Sequence, residues 1–98
     1  MEALSRVIAV DHVGARTLRV TFSDGLVREL DFMGTLTCVL AALDDDAVFP
    51  MARVDSVTRT VCWPDGIDLD PDVLHGDHDP ASPFRPRVVR EYQLRPVG

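Results

Sequence analysis

Apolar and polar residues alternate cleanly at 17–22, and this period of two is typical of a β-strand with one buried face. Residues 6–13 form a run rich in β-branched side chains, which also predicts a strand, and Gly14 lies between the two segments. The tripeptide SDG at 23–25 has the composition of a tight hairpin turn, and it leads into a third apolar segment at 26–32. The pattern therefore predicts a three-stranded antiparallel meander.

The hydrophobic period changes after Gly34. Apolar residues now recur at helical spacing, namely Leu36, Val39, Leu40 and Leu43. This spacing predicts a short amphipathic helix with Thr35 as its N-terminal cap. The acidic residues 44–46 then offer carboxylates to the free amides of a second helical turn, which contains Phe49 as a core anchor and which Pro50 ends.

Residues 52–56 and 60–63 are β-rich and separated by a few polar residues, so they predict a second hairpin. Trp63 ends this hairpin, and we expect its ring to line the core with the indole N–H close to a polar group. In the turn that follows, Gly66 is expected to take a positive φ angle. Asp70-Pro71 has the composition of a helix cap followed by the first helical residue.

These elements predict the α+β class, with a small antiparallel sheet (meander plus second hairpin) packed against one or two short helices. We assign residues 1–79 to a single domain and residues 80–98 to a C-terminal tail rich in proline and arginine. Two alternatives stay open for this tail. It is either a frayed, solvated end or, because it contains several apolar residues, a segment that adds a strand to a sheet edge or docks on another chain.

The 98 residues carry a net charge of −6, which disfavours direct binding of nucleic acid and favours a basic partner. Acids cluster at 65–79 and arginines at 85–95, so the tail has the opposite sign to the body. The absence of lysine and asparagine suggests a G+C-rich bacterial genome. No apolar run is long enough to span a membrane or to act as a signal peptide, so we expect a cytoplasmic location.

Candidate chemistry is sparse. The segment HGDHD at 75–79 has ligand types that suit zinc, but its spacing matches no metal motif and fits a solvated linker better. Asp68 and Asp70 share a face of an extended segment without a nucleophile or histidine placed beside them. Cys38 and Cys62 are interpreted as buried, reduced thiols. We therefore expect no enzymatic activity, no cofactor and no metal site.

Several motifs follow one another between about Val7 and His75, namely LRVTFSDGLVRELDF, LDDDAVFPMARVD and above all WPDGIDLDPDVL. Their order resembles the DUF2442 family of small bacterial domains of unknown function. The resemblance implies an α+β fold and a family without an established enzymatic activity. It also implies an antitoxin-like or accessory role in compact bacterial two-gene modules. Relatives with an appended helix-turn-helix domain are longer than this chain, which is a further reason not to expect DNA binding.

The function expected from the sequence is that of a non-enzymatic interaction module, antitoxin-like or accessory, which binds a small basic protein or self-associates. The alternative is an autonomous ligand- or metal-binding regulatory domain. The candidate partner-binding residues lie in the acidic stretch and in the tail, and they are Asp65, Asp68, Asp72, Arg87, Arg90 and Tyr92.

Overall fold

The computed structural model describes residues 6–36, 38–64, 66–69, 74–75 and 86–94, with only the backbone for 38–40. Six strands follow one another in these residues: β1 (Val7–Gly14), β2 (Thr17–Phe22), β3 (Leu26–Asp31), β4 (Arg53–Val54), β5 (Val61–Cys62) and β6 (Arg87–Gln93). Strands β1, β2, β3 and β6 form one antiparallel sheet in that order, and β4 pairs with β5 in a second. Among the described residues, no helix is long and apolar enough to cross a membrane.

The predicted meander is confirmed. Val20 of β2 lies opposite Val10 of β1, and Leu18 lies opposite Leu30 of β3. In the turn between β2 and β3, the Gly25 N–H donates to the Phe22 carbonyl at 3.0 Å, and Gly25 has a φ angle of 90°. Because such an angle strains any residue with a Cβ atom, glycine is the residue that this turn requires.

The core lies on the face of the sheet that carries Leu18, Val20 and Phe22, and the second hairpin covers it. Trp63 is 1% exposed, and its Nε1–H donates to the Phe49 carbonyl at 3.0 Å. The two rings lie with their centroids 5.9 Å apart. The interpretation of Trp63 as a core residue with a satisfied indole N–H is therefore confirmed.

The helical part of the predicted α+β class is not confirmed. The apolar spacing of 36–43 yields a 3₁₀ helix, Cys38–Leu43, in place of an α-helix. The Thr35 hydroxyl donates to the Phe32 carbonyl at 2.8 Å, so it closes the preceding turn and does not cap a helix. Residues 44–46 place three carboxylates at the C-terminal end of this segment. Negative charge at the C-terminus of a helix interacts unfavourably with the helix dipole, so these residues disfavour an α-helix at 36–43.

The acidic residues at 44–46 bind two different groups, a backbone N–H and the guanidinium of Arg16. The Asp45 carboxylate accepts the backbone N–H of Ala47 at 2.7 Å, as predicted for an acid that caps a turn. Asp46 and Asp44 each accept a hydrogen bond from Arg16 at 2.9 Å and together raise the pKa of this guanidinium above its usual value. A second 3₁₀ helix, Phe49–Met51, follows.

This second 3₁₀ helix corrects the role predicted for Pro50. Pro50 lies in its first turn and does not end it. The position suits proline, because the first turn of a helix needs no N–H donor from that residue.

The predicted second hairpin is confirmed by the antiparallel pairing of β4 and β5. Gly66 has a φ angle of 93°, as expected from the turn that follows Pro64, and residues 67–69 return along β5 through the pair Cys62 and Asp68. Cys62 is buried and free, whereas the side chain of Cys38 lies outside the described residues. The cap expected at Asp70-Pro71 also lies outside them.

Candidate functional site

The C-terminal segment forms β6, the fourth strand of the main sheet, paired antiparallel with β3. Of the two alternatives for the tail, the structure shows the added strand for residues 87–93. Three of the predicted partner-binding residues, Arg87, Arg90 and Tyr92, lie together on this strand. Asp68 is exposed, but it belongs to the return segment beside β5. Asp65 and Asp72 lie outside the described residues.

The hairpin turn between β2 and β3 holds the end of β6. The Leu94 N–H donates to the Gly25 carbonyl at 2.8 Å, and Gln93 Nε2 donates to the Asp24 carbonyl at 2.7 Å. Further along the strand, Arg28 Nε donates to Glu91 Oε1 at 2.5 Å. These contacts join β6 to residues 24–28 at one end of the sheet.

Every one of the seven residues of β6 is exposed. Val88, Val89 and Tyr92 are 42%, 51% and 38% exposed, so apolar side chains contribute to this surface. No strand among the described residues pairs with the edge of β6 that faces away from β3. We call this edge the β6 edge; its backbone groups have no ladder partner within the described part of the chain.

The outer face of the main sheet, opposite the core, carries charges of alternating sign. In one row across the four strands the register places Asp11 opposite Arg19, Arg19 opposite Glu29, and Glu29 opposite Arg90. In a second row, Asp31 lies opposite Arg87 and binds it at 2.9 Å. We call the first row the charge row. Opposite charges on directly facing positions stabilise antiparallel strand pairs.

Arg90 ends the charge row at the β6 edge. Glu29, its neighbour in the row, accepts a hydrogen bond from Arg19 at 3.3 Å. Arg90 forms no ion pair with any residue that the structure describes, and its guanidinium lies 5.5 Å from the centroid of the Tyr92 ring. Within the described residues, Arg87 binds Asp31 and Arg90 contacts Tyr92.

Gly25 allows β6 to approach the turn closely. A Cβ atom at this position would lie 2.8 Å from Gln93 Nε2 and 3.0 Å from the Leu94 carbonyl oxygen. The positive φ angle of Gly25 would also strain any side chain placed there.

We expect Gly25→Ala to destabilise the domain by about 1–2 kcal/mol and to loosen the end of β6. Denaturant unfolding and amide hydrogen exchange check both effects, with Gly34→Ala as the control, because Gly34 also has a positive φ angle but has open space around it. Equal exchange of β6 in the two variants would contradict the close approach.

Asp31 makes the pairing of β3 with β6 sensitive to acid. The Met33 N–H at 2.8 Å, and secondly the Arg87 guanidinium at 2.9 Å, lower the pKa of Asp31 below its usual value. A lowered pKa stabilises the fold above the pKa of an unfolded aspartate, about 3.9, and this stabilisation is lost as the pH falls through the folded pKa. We expect the protection factors of the β6 amides, which are corrected for the intrinsic exchange rate at each pH, to fall below about pH 4, and we expect a smaller pH effect in Asp31→Asn.

The described residues contain no group of three or more histidine, cysteine, aspartate or glutamate side chains arranged to hold a metal ion. Of the HGDHD segment only His75 is described; its Nε2 lies 2.8 Å from the Asp24 carboxylate. An open depression is lined by β4 and the turn that follows it, residues 53–57, where the Asp55 carboxylate already accepts the N–H groups of Val57 and Thr58.

Sequence reasoning missed the residues that hold β6 in place, namely Asp24, Gly25, Arg28 and Asp31. The signal in the sequence was an Arg-Glu pair in each segment, Arg28-Glu29 and Arg90-Glu91, because antiparallel pairing places each arginine opposite a glutamate. Asp24 and Gly25 have the composition of a hairpin turn, and such a turn gives no sign of a distant strand that contacts it.

Comparison with known protein families supports the motif analysis. The family model described as "Protein of unknown function (DUF2442)" matches residues 7–77, which is more than half of the chain. Strand β6 lies beyond the matched residues. No curated protein and no solved structure matches the chain.

Proposed function

Because the chain belongs to the DUF2442 family, whose function is unknown, we propose from its own surface that it is a non-enzymatic interaction module. It binds a protein partner that adds a strand to the β6 edge. The observation that carries this proposal is the exposure of all seven residues of β6 at the end of the sheet order. An exposed edge strand is a template for pairing with another chain.

The composition of the strand supports this role. Natural proteins protect exposed edges with prolines, bulges or charges, since an unprotected edge promotes aggregation. Strand β6 has a register irregularity opposite the step from Glu29 to Leu30, but it lacks proline and exposes Val88, Val89 and Tyr92. It is therefore only partly protected. The apolar side chains provide area to bury, and the charged ones keep the free protein in solution.

We propose further that the partner is a small basic protein and that the chain acts as the antitoxin-like or accessory component of a bacterial two-gene module. The net charge of −6 supports this choice, because opposite net charges accelerate the encounter of two proteins. The resemblance to small domains of such modules supports it as well.

The test combines a growth assay with two matched variants of the chain. The product of the neighbouring gene is expressed alone and together with the chain, and we expect growth inhibition that the chain relieves. Val89→Lys places a protecting charge on β6 and should abolish the relief, whereas Val57→Lys, at a loop position that is 87% exposed, should keep it.

Complex formation of the two purified proteins is measured alongside growth, by amide hydrogen exchange of β6. A harmless neighbour that does not bind the chain would rule out the antitoxin-like role. Relief and binding that are equal in both variants would rule out the β6 edge as the contact.

A further inference from the structure

The charge row indicates the sign of the charge that a strand added to the β6 edge must place opposite Arg90. Its signs alternate without exception from Asp11 through Arg19 and Glu29 to Arg90, so the residue at the β6 edge is positive. A strand added to this edge places one of its residues directly opposite Arg90 on the outer face. A carboxylate there would continue the alternation and would provide the ion pair that Arg90 lacks among the described residues.

Tyr92 adds a second requirement two positions along β6. It lies opposite Val27, which is on the outer face and yet only 2% exposed. Tyr92 is 38% exposed, so part of its side chain is accessible to a neighbouring strand. Aromatic residues pair favourably with β-branched or aromatic neighbours across strands, so the facing residue of the added strand is expected to be apolar.

A second copy of the chain that pairs through its own β6 does not meet the first requirement. Two β6 strands that pair antiparallel about a two-fold axis turn the same face outward, so Arg90 would face outer-face residues of the other copy. The only acid of β6, Glu91, lies on the core side of the strand, opposite Arg28, and is already bonded to it. Head-to-tail pairing with β1 of another copy would bring Asp11 to Arg90, but such pairing continues from copy to copy as an open array. The occupant that fits a closed complex is therefore a strand from a different protein.

We propose that the partner of this module contributes an extended segment with an aspartate or glutamate opposite Arg90 and an apolar residue two positions away, opposite Tyr92. This inference rests on the proposed strand addition and specifies its register. It is compatible with a partner of net positive charge, because long-range attraction depends on the total charge whereas register depends on the facing pair.

The experiment selects binding segments without knowledge of the partner. A display library of random 12-residue peptides is selected against the full chain, and we expect enrichment of sequences with an acid two positions from a β-branched or aromatic residue. Exchanging that acid for lysine in a synthetic peptide should weaken binding about three- to tenfold. Amide hydrogen exchange with the selected peptide should slow in β6.

Three variants make the result specific to Arg90. The Arg90→Glu chain should select lysine or arginine at the same position, and Arg90→Gln should lose the charge preference without reversing it. Arg53→Glu, an exposed position on β4, should keep the preference for the acid.

Each other outcome has a definite meaning. Peptides that protect β6 without a preference for an acid, or with the same preference in Arg90→Glu, would overturn the assigned register and leave strand addition intact. A chain that is dimeric in solution and becomes monomeric in Val89→Lys would assign the edge to a second copy. Failure to enrich any peptide that protects β6 would contradict strand addition itself.

Discussion

Replacement of Trp63 by alanine is expected to destabilise the domain by about 3–5 kcal/mol, close to the whole stability of a chain of this size. The ring is 1% exposed and packs against Phe49, so its removal leaves a cavity that the surrounding strands fill only in part. Urea unfolding monitored by far-ultraviolet circular dichroism measures the loss without dependence on tryptophan fluorescence.

Trp63→Phe is the matched control for the hydrogen bond. It retains most of the apolar volume but removes the Nε1–H donor, so the Phe49 carbonyl loses its bond of 3.0 Å. We expect a smaller loss of about 1–3 kcal/mol. A melting temperature that hardly changes in Trp63→Ala would contradict the core role and would indicate a ring that serves a ligand.

Deletion of residues 83–98 is expected to abolish partner binding and to destabilise the domain by about 2–4 kcal/mol. The deletion removes β6, turns β3 into an edge strand and exposes Val27, which is 2% exposed in the full chain. Val27 sits on the outer face, so its exposure leaves the core cluster intact and a folded product should remain. Urea unfolding and binding to the selected peptides measure the two effects.

A shorter deletion provides the control for this experiment. Removal of residues 95–98 leaves all of β6 and its contacts with Gly25, so stability and binding should stay close to those of the full chain. If the longer deletion also left both quantities unchanged, β6 would be dispensable, and the proposed function would have to be abandoned.

Much of the sheet was predictable from local pattern. The β-branched run of β1, the alternation of β2, the SDG turn and the second hairpin each depend on residues that lie within a few positions of one another. Trp63 and Gly66 were equally predictable, since a large ring needs burial and a positive φ angle needs glycine. Local chemistry decides such features, and the structure confirms them.

The helix at 36–43 shows where local pattern failed. Its apolar spacing was helical, but the following acids bind Arg16, which lies 28 and 30 positions from Asp44 and Asp46. Helix propensity is a weak preference that tertiary contacts override. Because those contacts join residues far apart in the chain, the spacing of 36–43 by itself carried no sign of them.

The sequence by itself determined the meander, the turns, the buried tryptophan and the family of this protein. It also identified Arg87, Arg90 and Tyr92 as residues of interest, but only through their composition. The tertiary structure decided that they lie on one strand, that Asp31 and Gly25 help to hold this strand, and that Arg90 ends the charge row. The reason is physical: alternation within one strand is a local property, whereas its neighbour and register depend on pairing between β3 and β6, which lie about 60 residues apart.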